Sequence, residues 1–175
     1  KREGRLIVFI DEAGLSERPT RVRTWAPKGK TPIIQFHFNW THVSVIAALS
    51  RTNCMFRLHE GSIKKEQHVE FLKELRAHLK QRLLIIWDGL KAHRSKLVRE
   101  YLDSTDGDIQ MAFLPPYSPD LNPVEFLWAW LKRHALANFC PNGLNELNTT
   151  ARNKLRSAQR RPSIIASCWK QAELW

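Results

Sequence analysis

Two aspartates end uninterrupted apolar runs: Asp11 follows Leu6-Ile7-Val8-Phe9-Ile10, and Asp88 follows Leu83-Leu84-Ile85-Ile86-Trp87. Runs rich in β-branched and aromatic residues, without polar alternation, read as strands covered on both faces. A carboxylate on such a strand is costly to bury unless it meets a cation or donors, which puts it at the strand's end, facing a site. For Asp11 a second reading stands open, in which it only begins a turn at Glu12-Ala13-Gly14. If the two runs lie side by side and parallel, both aspartates emerge at the carboxyl edge, where open α/β sheets place their ligands. Adjacent carboxylates repel each other, and a divalent metal is the simplest neutraliser.

A third carboxylate, Glu125, follows the stretch Leu114-Pro115-Pro116-Tyr117-Ser118-Pro119-Asp120-Leu121-Asn122-Pro123-Val124. Pro115, Pro116 and Pro119 hold this strap extended, so a helix starts only after it. Asn122 is a good N-cap and Pro123 suits the first helical position. Glu125 then lies three residues past the cap, either as a capping-box partner or as a group presented at the end of a rigid strap.

The elements that must position these groups follow from periodicity and turn chemistry. After the first strand (6–11), residues 17–30 form a polar, proline-broken loop or hairpin with Arg18, Arg21, Arg23, Lys28 and Lys30, suited to lie along a phosphate backbone. Strands are expected at 32–38, 42–49 and, more weakly, 54–58, with a turn at Asn39-Trp40-Thr41, as an antiparallel meander. Val69, Leu72, Leu75 and Leu79 recur at helical spacing, which predicts an amphipathic helix over 63–80 capped by Ser62. That helix supplies the crossover a parallel strand at 83–88 needs. A turn from Gly89 to His93, a helix over 93–104 and an acidic turn containing Gly107 lead to a last strand at 109–114. Beyond Pro141-Asn142-Gly143, Leu144, Leu147, Ala151 and Leu155 mark a helix whose basic face carries Arg152, Lys154, Arg156, Arg160 and Arg161 and is either a solvated surface or, the reading favoured here, a DNA contact. Pro162 breaks it, and Ile164, Ile165, Cys168 and Trp169 pack back on the core.

With 175 residues the chain is the size of one domain. Its formal net charge is +11, from 28 basic against 17 acidic residues, which points to a polyanion as partner. No run of about eighteen apolar residues is present to span a membrane, and no secretory signal opens the chain. Cys54, Cys140 and Cys168 are odd in number and far apart, which argues against a disulfide framework and for a reducing compartment. His37, His42, His59, His68, His78 and His134 show no zinc spacing with these cysteines and are assigned no chemistry.

Phe9-Ile10-Asp11-Glu12, Trp87-Asp88 with His93 five residues on, and Pro116-Tyr117-Ser118-Pro119-Asp120-Leu121-Asn122-Pro123-Val124-Glu125 followed by Trp128 and Leu131-Lys132 together resemble the catalytic domain of Tc/mariner-like transposases, DDE superfamily endonucleases, in their bacterial insertion-sequence branch. The resemblance covers nearly the whole chain. It implies an α/β, ribonuclease H-like fold: a mixed five-stranded sheet with antiparallel first three strands and flanking helices, plus C-terminal helices. Residues 1–140 would form the catalytic core and 141–175 a helical extension packed on it. Carried over, it makes Asp11, Asp88 and Glu125 the catalytic triad and the metal ligands for two Mg²⁺ (or Mn²⁺) ions. Thirty-six residues separate Asp88 from Glu125, slightly more than is common in the family, and the turn near Gly107 takes up the difference. Family members often have asparagine after the second aspartate, where this chain has Gly89. His93 contacts the scissile phosphate or orients a ligand, or else is bonded to backbone at a helix start; Glu12 is an exposed neighbour or helps set the metal field.

The implied reaction is metal-dependent cleavage at transposon ends by water, followed by attack of the freed 3′-hydroxyl on target DNA, with no covalent protein intermediate. The implied partners are double-stranded DNA, as transposon ends and target, and a second copy of the chain in a homodimer. The implied location is the bacterial cytoplasm, at the nucleoid when DNA-bound, with no membrane. Family members carry N-terminal helix-turn-helix domains that recognise transposon ends, and this chain begins at the first catalytic strand, which suggests an excised domain or the second half of a split reading frame. Two other functions compete: a non-catalytic DNA-binding remnant, against which the intact triad speaks, and a ribonuclease H-like nuclease without strand transfer, against which the proline strap speaks.

Overall fold

The strand that begins at Leu6 does not stop at Asp11. In the computed structural model, which describes residues 4–36 and 41–174, β1 spans Leu6–Ser16. The reason lies in its neighbours: β1 pairs antiparallel with β2 (His42–Leu49) from Phe9↔Leu49 to Ser16↔His42, so its polar second half still has a ladder partner. A turn at Glu12-Ala13-Gly14 therefore does not form. On its other edge β1 pairs parallel with β4 (Leu83–Trp87), but only from Leu6↔Leu83 to Phe9↔Ile86. Adding β3 (Cys54–Glu60) and β5 (Ile109–Phe113) gives a mixed five-stranded sheet of order β3-β2-β1-β4-β5, with β1, β2 and β3 antiparallel and β4 and β5 parallel to β1. This is the ribonuclease H-like arrangement.

Of the strand expected at 32–38, the described part does not form: residues 31–36 are irregular and Ile33 is 84% exposed, while 37–40 lie outside the described residues, and with them most of the expected turn at 39–41. Pro32 cannot donate to a ladder, and β2 already has β1 and β3 on its two sides. The crossover helix α1 covers Lys65–Leu79 and starts from Lys64, whose N–H donates to Gln67 Oε1 at 2.7 Å, rather than from Ser62. Helix α2 (Lys96–Asp103) is shorter than expected, because residues 91–94 turn before it begins. Then come α3 (Pro123–Trp130), a π-helical turn over Leu131–Ala135, α4 (Leu144–Gln159) and α5 (Pro162–Gln171).

Side-chain alternation along β1 divides the core into two layers. Phe9 and the inward residues Val43, Val45 and Ala47 pack against Val124, Leu127, Leu155 and Trp169 of α3, α4 and α5. Val8 and Ile10, with Ile46, Ile85 and Trp87, pack against Phe71, Leu72 and Leu75 of α1 and Val98 of α2. The C-terminal helices share the first layer: the Trp169 ring meets Phe9 edge-on at 5.3 Å, its Nε1–H donates to Ser50 O at 2.8 Å, and Gln159 Nε2 donates to Cys54 O at 2.6 Å. Burying each such aromatic contributes about 1.5–3 kcal/mol. Among the described residues no helix is long and apolar enough to cross a membrane.

Candidate active site

Carried two residues past its last pair, the β1–β4 register sets Asp11 level with Asp88. Both side chains belong to the face of the sheet covered by α3, because Asp11 alternates with Phe9 and Asp88 with Ile86. Asp11 is 8% exposed, and its Oδ2 accepts the indole N–H of Trp128 on α3 at 2.7 Å. Asp88, just past β4, is half-exposed; its Oδ1 accepts the backbone N–H of Leu90 at 3.0 Å and lies 2.6 Å from His93 Nδ1.

Glu125 arrives from the strap, and its position is fixed by Asn122. The Asn122 Oδ1 caps α3 by accepting Val124 N–H at 3.1 Å, and its Nδ2 donates to Ile10 O at 3.4 Å, one residue before Asp11. A capping box would need Glu125 to receive the Asn122 backbone N–H, but that donor is engaged by Pro119 O at 2.9 Å. Glu125 is exposed, free of a structural capping duty, and lines one cleft of about 530 Å³ together with Asp11, Asp88 and the strap residues from Leu114 to Pro119.

Burial, and next the charge of Glu125, push the Asp11 carboxyl up to about 7 against the Trp128 hydrogen bond, with Glu12 and Asp88 adding to the rise. A carboxyl so placed invites a cation. The donor set is all carboxylate oxygen, which fits hard Mg²⁺ or Mn²⁺ and not a thiolate site.

Glu12 points to the opposite face of β1, toward α1 and α2. It is neither exposed nor solitary: its side chain is 22% exposed, and its two oxygens each lie 3.2 Å from His93 Nε2. Burial alone would raise Glu12, but the imidazoles of His68 and His93 outweigh it and hold it down at about 2. For His93, burial opposes protonation while Glu12 and Asp88 favour it more strongly, so its value is raised. His93 is 1% exposed and stacked on Trp87 at 3.9 Å, so the expectation that it touches DNA is corrected: its ring is closed in between two carboxylates, and a role in orienting Asp88 is what its position allows. It also precedes α2 and does not start it.

The basic residues expected on DNA do not line the cleft. Arg18, Arg21, Arg23, Lys28 and Lys30 are exposed on an irregular segment pinned by Asn138, which exchanges hydrogen bonds with Val22 at 2.8 and 2.9 Å. On α4, Arg156 is exposed, while Arg152 is half-buried and donates to Asn148 Oδ1 at 3.3 Å. Arg94 was not singled out by sequence, yet it lines the cleft, with its guanidinium 4.4 Å from the Phe113 ring centre. A Cβ at Gly89 would come within 2.9 Å of Arg94 Nη2, so a side chain there would push this flexible guanidinium aside. His68 was also passed over, although its spacing to Leu72, Leu75 and Leu79 puts it on the inward stripe of α1.

Several solved structures share this fold. The Mos1 strand transfer complex matches with a TM-score of 0.71 at 20% identity, covering 100% of this chain and 54% of that one. The Mos1 mariner paired end complex with Mn gives 0.71 at 19% identity, over 97% and 53%. The catalytic domain of Mos1 mariner transposase gives 0.67 at 18% identity, over 97% and 78%. The chain thus spans about half the length of the Mos1 chains in those complexes. No curated protein sequence matches it. The sequence pattern of the DDE superfamily endonucleases matches residues 6–146, most of the chain. With its sheet, its strap and its three converging carboxylates, this chain belongs to the DDE superfamily of endonucleases.

Proposed function

We propose that the chain is the catalytic domain of a DNA transposase that cleaves at transposon ends and transfers the freed 3′-hydroxyl into target DNA. The observation that carries this reading is that Asp11, Asp88 and Glu125, drawn from three separate elements, line one cleft in which they feel one another's charge. Asp11, Asp88 and Glu125 would hold two divalent ions, Mg²⁺ or Mn²⁺, which when bound supply Lewis-acid stabilisation of the charge on the attacking and leaving oxygens. The Mos1 complex with Mn supports a divalent metal, and its strand transfer complex supports the second chemical step.

The protein's own part is to position. Trp128 fixes one oxygen of Asp11, His93 and Leu90 N–H fix one oxygen of Asp88, and Asn122 sets the helix start that presents Glu125. Arg94 places a positive charge in the same cleft, where an anionic phosphodiester would lie. The partners are double-stranded DNA and a second copy of the chain in a homodimer, with end recognition supplied by a helix-turn-helix region outside this chain.

The test is a nicking and joining assay on labelled transposon-end DNA, with the end-binding region supplied. Nicking should require Mg²⁺ or Mn²⁺, and Asp88→Asn or Glu125→Gln should reduce it by more than about 100-fold, beyond what losing an outer-shell partner costs. Transfer of the labelled 3′ end to a second DNA marks a transposase; nicking without transfer marks a plain nuclease. Binding that ignores chelator and both substitutions, with no cleavage, would mark a remnant.

A further inference from the structure

On the face of β1 away from Asp11, a second group of ligand-type side chains is left over by the chemistry of the cleft. Glu12 Oε1 lies 3.2 Å from His93 Nε2 and 3.3 Å from His68 Nε2, and one ligand atom from each residue falls within 4.8 Å of the other two. His68 and His93 are 2% and 1% exposed. An ion pair between Glu12 and protonated His93 would account for those two residues. It leaves His68 poorly served: among the described residues its Nδ1 has no partner, and its Nε2 only approaches Glu12 Oε1 at 3.3 Å without hydrogen-bond geometry, while a buried unsatisfied polar group costs about 1–3 kcal/mol.

A metal removes that difficulty. Donors about 2.0–2.1 Å from a tetrahedral ion lie roughly 3.3–3.5 Å from one another, close to both separations measured from Glu12. The Asp88 contact also favours the tautomer a metal would need. His93 Nδ1 lies 2.6 Å from Asp88 Oδ1, so a ring that donates there can give up the Nε2 hydrogen to a metal and present its Nε2 lone pair on the Glu12 side, the carboxylate–histidine pairing that supports metal-bound imidazoles. Two imidazoles and a carboxylate suit Zn²⁺ or Co²⁺, whereas Mg²⁺ prefers an all-oxygen shell. The side chain of Glu12, at 22% exposed, leaves an approach from solvent.

We propose that Glu12, His68 and His93 form a transition-metal site of the zinc class, on the other face of β1 from the carboxylate cleft and coupled to it through Asp88, which serves as the outer-shell partner of His93. An ion held there fixes the His93 ring and, through Nδ1–H, the orientation of the Asp88 carboxylate. This assignment does not depend on the cleft being a strand-transfer site.

The probe is Co²⁺, titrated into the chain carrying Asp11→Asn and Glu125→Gln so that the cleft is disabled, with visible absorbance as the readout. Tetrahedral nitrogen- and oxygen-bound Co²⁺ absorbs strongly, while octahedral oxygen-bound Co²⁺ does not. The expected result is a strong band that saturates at equimolar Co²⁺, is bleached by Zn²⁺ and is untouched by excess Mg²⁺. His68→Gln in the same background should abolish the band, and Asp88→Asn should weaken Zn²⁺ binding by about 10–100-fold. If His68→Gln does not fold, Glu12→Gln, at a partly exposed position, is judged by the same loss of the band. Absence of a saturable band in the starting chain, or a band undiminished in the folded ligand variant, overturns the proposal.

Discussion

Asp11 combines burial with a cluster of like charges, and its stability signature follows. Its carboxyl is pushed up to about 7 by burial and then by Glu125, against about 3.9 for an unfolded aspartate. A group that binds its proton more tightly when folded stabilises the fold at low pH and withdraws that support as pH rises from about 4 to about 7, a loss on the order of 4 kcal/mol. Urea unfolding of the metal-free chain should therefore show stability falling across that window. Asp11→Asn, which cannot ionise, should flatten the slope and raise stability at pH 8. Saturating Mg²⁺ at pH 8 should stabilise the unsubstituted chain and leave Asp11→Asn nearly unmoved. Parallel pH profiles for the two proteins would show that Asp11 is not the strained group.

Among the elements, the strap and the start of α3 depend most on one residue. Asn122 is 2% exposed and joins three things: the α3 cap, the turn from Pro119, and the backbone of β1 at Ile10. Asn122→Ala should cost about 1 kcal/mol from the cap alone. Because Glu125 stands in the first turn of that helix, cleavage should fall by more than the stability loss explains. Comparing denaturation midpoints with cleavage rates at a temperature where both proteins are fully folded separates the two effects. An activity loss that vanishes once the folded fraction is accounted for would mean that Asn122 only caps.

For the whole molecule, the net charge of +11 and the exposed basic segment predict DNA affinity that falls steeply with salt. The double substitution Lys28→Ala and Lys30→Ala should lower the slope of log K against log salt by about 2, at roughly 0.9 per phosphate contact, equally for specific and nonspecific duplexes. An unchanged slope would remove this segment from the DNA footprint and leave α4 as the candidate surface. The buried flank of the fold makes a different contribution: α4 and α5 close the layer over Phe9, so they support the face of β1 on which Asp11 sits.

Local rules were enough to identify much of this. Uninterrupted apolar runs marked β1 and β4 together with the aspartates that close those runs, and proline and asparagine chemistry placed the start of α3, because these signals act over a few residues. The same rules misjudged 32–36, where sheet pairing decides whether a strand exists, and made Asp11 a possible turn residue, because only β2 tells the chain to stay extended to Ser16. They also could not show that Glu12 turns away from Asp11 to meet His68 and His93, which lie far from it along the chain. What sequence determined were conformations and motifs set by neighbours along the backbone. Which carboxylates share a cleft, and which histidines share a carboxylate, was decided by the parallel register of β1 with β4 and by the two faces of one strand, both of which exist only after folding.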